Sequence, residues 1–270
     1  MKLVMFSPKG AHLERGWPGR IEGDRVIQLA AQTLQSFFTG GGQAREHAEH
    51  PLADVELRAP VLHPPSVRDF YAFEQHVKTA RANRGLEVPP EWYEQPVFYF
   101  SNPAAIYGPE QPVPFPEGTS ELDYELEVAA IVGLDGQIGG FTVMNDWSAR
   151  DLQRREMKVG LGPAKGKDFA TSLGPVVVTP DEFDGRHATM TARVNGEERS
   201  RGYLGDMHWS WQDLFAQAAR STRLIAGDVI GSGTVGTGCI LEHGDGRWLQ
   251  PGDVVELEVE GIGVLRNTIA

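Results

Sequence analysis

Glu121–Gly133 reads ELDYELEVAAIVG. Leu122, Tyr124, Leu126 and Val128 interleave with the other residues at the period of a β-strand, and the run stops at glycine. Inside it, Glu125 and Glu127 stand two residues apart. In a strand such residues share one face, with backbone positions roughly 6.5–7 Å apart from two rises of ~3.3 Å. Their charges repel. A solvated face would explain the pair, because half-buried strands commonly alternate apolar and polar residues. A face turned inward would need something to offset two negative charges. Which of the two holds depends on what accompanies the pair.

The chain has 270 residues, enough for one large domain or one with a small appendage. Its 32 glycines and 18 prolines, spread among short apolar runs, favour strands and turns over a helical bundle. A formal net charge of -12 argues against a nucleic-acid or anionic-membrane partner, since both need clustered Lys and Arg, and points to a small-molecule partner. The one cysteine, Cys239, excludes an internal disulfide framework and a Cys-built zinc site. The opening MKLVMFSPKG has an apolar run too short for a secretory signal, and no later stretch approaches ~20 apolar residues, so the expected location is cytoplasmic.

Residues 1–62 read as a small N-terminal α/β unit, with strands at KLVMF and RVIQL, a turn at EGD between them, and a short helix around AAQTLQSFF before Gly40-Gly41-Gly42. The proline-rich APVLHPPSV, Ala59 to Val67, marks the boundary with a second unit over 63–270. The spacing of Phe73, Val77 and Ala80 predicts a helix over Phe73 to Arg84, ending at Gly85. QPVFYF, LEVAAIVG, GFTVMN, GPVVVT, ATMTARVNG, GDVIGSGT and GDVVELEVEG read as strands, and SWQDLFAQAAR as a helix. Strands outnumber helices without a βαβ rhythm. The expected fold is α+β, mainly β, a mixed β-sandwich roll. The aromatic cluster HWSW near Trp211 suits either an interface or the core.

Two motifs mislead. GSGTVG, Gly231 to Gly236, spells a dinucleotide fingerprint after a strand, but the following TGCILEHGDGRW is not expected to be helical, so a pyrophosphate has no helix N-terminus to sit on. GPAKGKD resembles a phosphate loop, yet Leu161 stands where its first glycine belongs and Asp168 where Ser or Thr belongs.

GFTVMNDWSARDLQ places Asp146 at the end of another strand, a third acid to meet Glu125 and Glu127. A divalent cation would offset their repulsion, and an all-oxygen ligand set suits Mg²⁺, Ca²⁺ or Mn²⁺ over zinc or copper. Asp146 as the N-cap of a helix over WSARDLQ is the alternative.

DFYAFEQH, YELE, NDWSARDLQ, GPAKGKDFATS, GSGTVG and CILEH, in this order, resemble the fumarylacetoacetate hydrolase family over nearly all of residues 65–270. The resemblance implies the fumarylacetoacetase C-terminal fold and a divalent metal, Mg²⁺ foremost, on Glu125, Glu127 and Asp146, with Asp69 as a fourth acid. It implies His76 as general base, Glu242 as the carboxylate that orients and charges it, and Lys167 as a cation beside a developing enolate. Chemically the pair is sound, because a carboxylate on one imidazole nitrogen stabilises the cation formed when the other takes a proton. Short relatives place that glutamate three residues after the histidine; here the position is Thr79, which favours Glu242. Tyr71, Tyr99 and Thr234 match substrate-contacting positions. Arg150 and Gln153, at i and i+3, suit a substrate carboxylate. Arg81 and Arg84 are candidates for the arginine that the mammalian-type enzyme carries beyond its histidine.

The expected activity is metal-dependent hydrolysis of a C–C bond in a β-diketo acid of the fumarylacetoacetate or acylpyruvate type, in aromatic-compound or amino-acid catabolism, by a homodimer. The alternatives are decarboxylation of a 2-oxo acid or isomerisation of a hydroxymuconate-type diene on the same metal-enolate site, and a non-catalytic binding protein on the same scaffold.

Overall fold

A computed structural model describes residues 1–11 and 13–270. The strand Leu126–Val132 is buried along its whole length and lies inside a large mixed sheet. Its even-numbered residues Leu126, Val128 and Ala130 join one apolar cluster, and Ala129 and Ile131 join another on the opposite face. Both faces are therefore covered, which explains why the run reads as near-continuous apolar sequence.

Ile138–Asp146 and Val229–Gly231 flank this strand, and the sheet continues through Val67–Phe70 to Phe98–Ser101 on one side. On the other side it runs through Thr171–Val178 to Lys2–Pro8, Trp17–Glu22, Arg25–Leu29 and Glu46–Pro51. The first strands of the chain thus enter the same sheet, with Lys2 paired to Val178. A second, four-stranded sheet of Glu197–Tyr203, Thr189–Val194, Val254–Val259 and Gly263–Thr268 packs over one face. Val255, Leu257 and Val259 point inward from it and meet Val128, Val143 and Val176 in the main core. The opposite face is covered by the helix Leu34–Thr39, which seats Leu34, Phe37 and Phe38 against Leu3, Ile131 and Val177. The expectation of an α+β, mainly β fold built on a mixed sheet holds.

The helix at Phe73 to Arg84 is observed as Glu74–Ala82, and SWQDLFAQAAR as Trp211–Ala219 with a Ser210–Asp213 capping box. Trp211 of HWSW belongs to the core, where its indole donates to the Gly185 carbonyl at 2.7 Å. Asp146 is not an N-cap: the helix Arg150–Met157 is preceded by Ala149. One expectation fails. The segment after GSGTVG does contain a helix, the single turn Ile240–His243. The carboxylate of Asp123 caps it, accepting from the backbone N–H of Ile240 at 2.8 Å and of Leu241 at 3.1 Å. Gly244 closes it at φ +66°. Among the described residues, no helix is long and apolar enough to cross a membrane.

Candidate metal centre and active-site cavity

The sheet register brings the acids together. Leu126 pairs with Asn145 and Glu127 with Met144, so Glu125 and Asp146 meet where the two strands end. Asn145 fixes that end by accepting from the Glu125 N–H at 3.0 Å. Asp69 arrives from the other side, in register with Gly231, which lies across from Ala129. A Cβ on Gly231 would stand 2.4 Å from Asp69 Oδ1, so glycine is needed for the acid to approach. Asp69, Glu125, Glu127 and Asp146 each offer an oxygen within 4.8 Å of the others, and all four are buried. The solvated-face explanation of the glutamate pair is thereby removed.

Five buried carboxylates, these four and Asp123, face two buried cations, Arg150 and Lys167. Lys167 Nζ donates to Glu125 at 2.6 Å and to Asp146. Arg150 reaches Asp123 at 2.8 Å and Glu125 at 2.7 Å, and its Nη1 donates to Gln153 at 3.3 Å. Burial works upward on the Glu125 carboxyl, but Lys167, Arg150 and His76 outweigh it and hold the group below its ordinary range. Among the described residues Glu127 has no cation of its own. It accepts from the Gly233 N–H at 3.1 Å and the Thr234 hydroxyl at 3.4 Å. Burial, then the neighbouring acids, push both Asp69 and Glu127 well above the carboxylate range. Burial also raises Asp146, against the pull of Lys167, and the Tyr99 hydroxyl donates to it at 2.5 Å.

Asp69 Oδ1 and Asp146 Oδ1 are buried without a hydrogen-bond partner among the described residues. Excess negative charge, orphaned oxygens and an oxygen-only donor set all fit a hard divalent cation.

Above the acids lies a cavity of about 300 Å³. Tyr71, His76, Tyr99 and Lys167 line it with Arg150, Gln153 and Thr234, and Arg81 and Arg84 also contribute. His76 is 4% exposed, its ring edge-on to Tyr71 at 5.3 Å. Its Nδ1 lies 3.0 Å from Glu242 Oε2, without meeting hydrogen-bond geometry. Burial pushes the Tyr71 hydroxyl up to about 12, so it stays a proton donor at neutral pH. All the residues singled out in the sequence converge here. Asp146 and Glu242 stand behind the wall, in contact with Lys167 and His76.

Both misleading motifs prove to handle anions of the chain itself. GSGTVG wraps Glu127, and the loop of GPAKGKD cradles Glu156, whose carboxylate accepts from the N–H groups of Ala164 at 2.8 Å, Lys165 at 2.7 Å and Gly166 at 3.1 Å. That anchor delivers Lys167 to the acids. One site residue escaped the sequence reading, Asp123. It is fully buried, holds Arg150, and caps the turn that carries Glu242. The signal was present: Asp123, Glu125 and Glu127 alternate within the same stretch.

The family profile for the fumarylacetoacetate (FAA) hydrolase C-terminal domain matches residues 66–270. The chain belongs to the fumarylacetoacetate hydrolase family. Among its relatives, the mitochondrial oxaloacetate tautomerase FAHD2A of Homo sapiens is 32% identical over 304 residues, covering 100% of this chain and 91% of the relative. The solved fumarylacetoacetate hydrolase of Exiguobacterium antarcticum is 29% identical with a TM-score of 0.82, covering 100% of this chain and 99% of that one. The 5-carboxymethyl-2-hydroxymuconate delta-isomerase of Mycobacterium smegmatis is 28% identical with a TM-score of 0.79, at the same coverage. Fumarylacetoacetate hydrolase-family proteins are metal-dependent, and the buried acid cluster of this member suits a divalent ion.

Proposed function

We propose that this family member is a metal-dependent enzyme that transfers a proton at carbon in a small 2-oxo dicarboxylic acid, with keto–enol interconversion of oxaloacetate as the leading case. The observation that carries this is the shared cavity: His76, beside Glu242, opens on the same space as Asp69, Glu125, Glu127 and Lys167, with Asp146 just behind the wall. A divalent cation on Asp69, Glu125, Glu127 and Asp146, Mg²⁺ foremost with Mn²⁺ or Ca²⁺ as substitutes, would act as a Lewis acid on the 2-oxo group.

His76 takes a proton from the carbon next to the 2-oxo group, and the C–H electron pair becomes the C=C bond of the enolate. Glu242 stabilises the imidazolium so formed. Lys167 and the Tyr71 hydroxyl meet charge developing on the oxygen, and a proton from water to that oxygen, matched by loss of the His76 proton to water, completes the enol. Arg81 and Arg84 suit the far carboxylate, and Gln153, Thr234 and Tyr99 orient the rest. A cavity of about 300 Å³ suits a compact acid. The tautomerase relative supports this order of preference.

Hydrolysis of a β-diketo acid is the second reading, favoured by the His76–Glu242 pair, which could instead deprotonate water, and by the hydrolase among the solved relatives. Decarboxylation would draw on the same enolate stabilisation. The test is product identity. Protein with Mg²⁺ or Mn²⁺ is given oxaloacetate, with enol absorbance followed, and separately acylpyruvates, with products read by NMR. Accelerated enol–ketone conversion with intact acylpyruvate supports tautomerisation. Release of pyruvate from acylpyruvate, with no effect on the enol, would replace it by hydrolysis.

A further inference from the structure

Behind the base lies a second cluster of ligating side chains, of a different chemical kind. His76 Nδ1, Cys239 Sγ and a Glu242 oxygen all lie within 4.8 Å of one another. Cys239 immediately precedes the turn Ile240–His243 and Glu242 lies in it, so the C-x-x-E spacing turns both toward the helix Glu74–Ala82 that carries His76. A lone cysteine cannot build a zinc site, but here two partners come from elsewhere in the fold.

One of the two spacings around Glu242 lies in the range that an ion sets, and the other falls a few tenths of an ångström short of it. Glu242 Oε2 is 3.0 Å from His76 Nδ1 and 3.6 Å from Cys239 Sγ. Tetrahedral zinc, with bonds of ~2.0–2.3 Å, sets its ligand atoms about 3.3–3.7 Å apart. Among the described residues His76 Nδ1 and Glu242 Oε1 have no hydrogen-bond partner, although their side chains are only 5% and 3% exposed. Such orphaned groups call for a partner. His76 and Leu241 line the cavity, which gives an ion access. The mixed N, S, O donor set suits zinc and similar thiophilic ions, whereas the acid cluster suits hard ones.

We propose that His76, Cys239 and Glu242 form a second metal site, selective for Zn²⁺ and related thiophilic divalent ions, whose occupancy inhibits the reaction. On binding, the thiol proton leaves to solvent and the metal takes its place, with no change of oxidation state. The ion then occupies Nδ1 in place of Glu242 and lowers the basicity of the ring. The inhibitory half rests on the proposed role of His76 as base; the binding half does not.

The test uses the protein saturated with Mg²⁺, titrated with Co²⁺ as a spectroscopic probe and with Zn²⁺ as competitor. Cys239 is the only cysteine, so a thiolate-to-cobalt charge-transfer band can come from nowhere else. The expected result is one such band, saturating at one equivalent and erased by Zn²⁺. Its cobalt affinity should fall by at least ~10–100-fold in His76→Ala and in Glu242→Gln, a range known for lost partners of metal ligands. Absence of the band in the unaltered protein, or undiminished affinity in both variants, would overturn the site. In a turnover assay, Cys239→Ser should need at least tenfold more Zn²⁺ for half-inhibition, relative to its own Mg²⁺-supported rate. Equal zinc sensitivity of the two proteins would overturn the inhibitory half. The band requires no catalysis, so a wrong base assignment leaves the binding test intact.

Discussion

At the scale of single residues, Glu127 is the most informative acid. Glu125 and Asp146 each touch a cation, whereas Glu127 is fully buried and, among the described residues, accepts only from a backbone N–H and a hydroxyl. Its charge is useful only when a metal is present. Glu127→Gln should therefore weaken Mg²⁺ or Mn²⁺ binding by at least ~100-fold, about 2.7 kcal/mol, in calorimetric titration. The same change should raise the melting temperature of the metal-free protein by ~2–4 °C, the shift expected for about 1 kcal/mol in a chain of this size. Unchanged metal affinity would return the glutamate pair to ordinary buried polar residues. Three of the acids were legible in the sequence because a strand with period 2 forces Glu125 and Glu127 onto one face and Asp146 ends a strand-like apolar run, whereas Asp69 came only with the family resemblance. Asp123 was passed over although it continues the same alternation, because its role depends on two distant partners, Arg150 and the turn at Ile240.

At the scale of elements, the turn Ile240–His243 shows what local sequence cannot reveal. A four-residue helix is unstable alone, since nucleation fixes several residues for one hydrogen bond. Here its free N–H groups are satisfied by a carboxylate 117 residues earlier in the chain. No propensity or cap in CILEHG announces that. Asp123→Asn weakens this cap and also removes one of the two carboxylates that neutralise Arg150. The expected loss is about 3 kcal/mol in urea unfolding, in the range for breaking a buried ion pair. Turnover should fall as well, because Glu242 rides on that turn. A variant as stable and as active as the parent would show that Asp123 organises neither. The longer helices were legible, since Phe73, Val77 and Ala80 lie on one stripe and Ser210 with Asp213 forms a capping box written in adjacent residues.

At the scale of the whole molecule, the sheet is assembled by pairings the sequence does not encode locally, such as Lys2–Pro8 against Thr171–Val178. Strand positions were readable from alternation, but partners depend on long-range packing. The acid cluster at the ends of the central strands also couples stability to pH. Asp69 and Glu127 have raised pKa values in the folded state, so above the ordinary carboxylate range of ~4 they retain protons that the unfolded chain has lost. Stability of the metal-free protein should then fall as pH rises from ~5 toward neutrality, by up to about 1.4 kcal/mol per pH unit for each retained proton. Glu125, lowered, acts in the opposite sense, its contribution being lost only as pH drops below ~4.5. Mg²⁺ replaces the retained protons and should flatten the fall between pH 5 and 8, as thermal melts with and without metal will report. Parallel curves with and without metal would contradict this.

In the proposed site one cavity joins a metal on the four acids to a base at His76. This arrangement is tested most directly by the initial rate of hydrogen exchange at the carbon beside the 2-oxo group of oxaloacetate in D₂O, followed by NMR. The rate is compared for the Mg²⁺-loaded protein, the chelator-treated protein and Mg²⁺-loaded His76→Ala. Exchange should be fast in the first. It should drop to the uncatalysed rate after chelation, and fall by ~10²–10⁴-fold in His76→Ala, the usual contribution of a general base, while Mg²⁺ affinity is retained. Exchange at the full rate without metal, or in His76→Ala, would contradict the account.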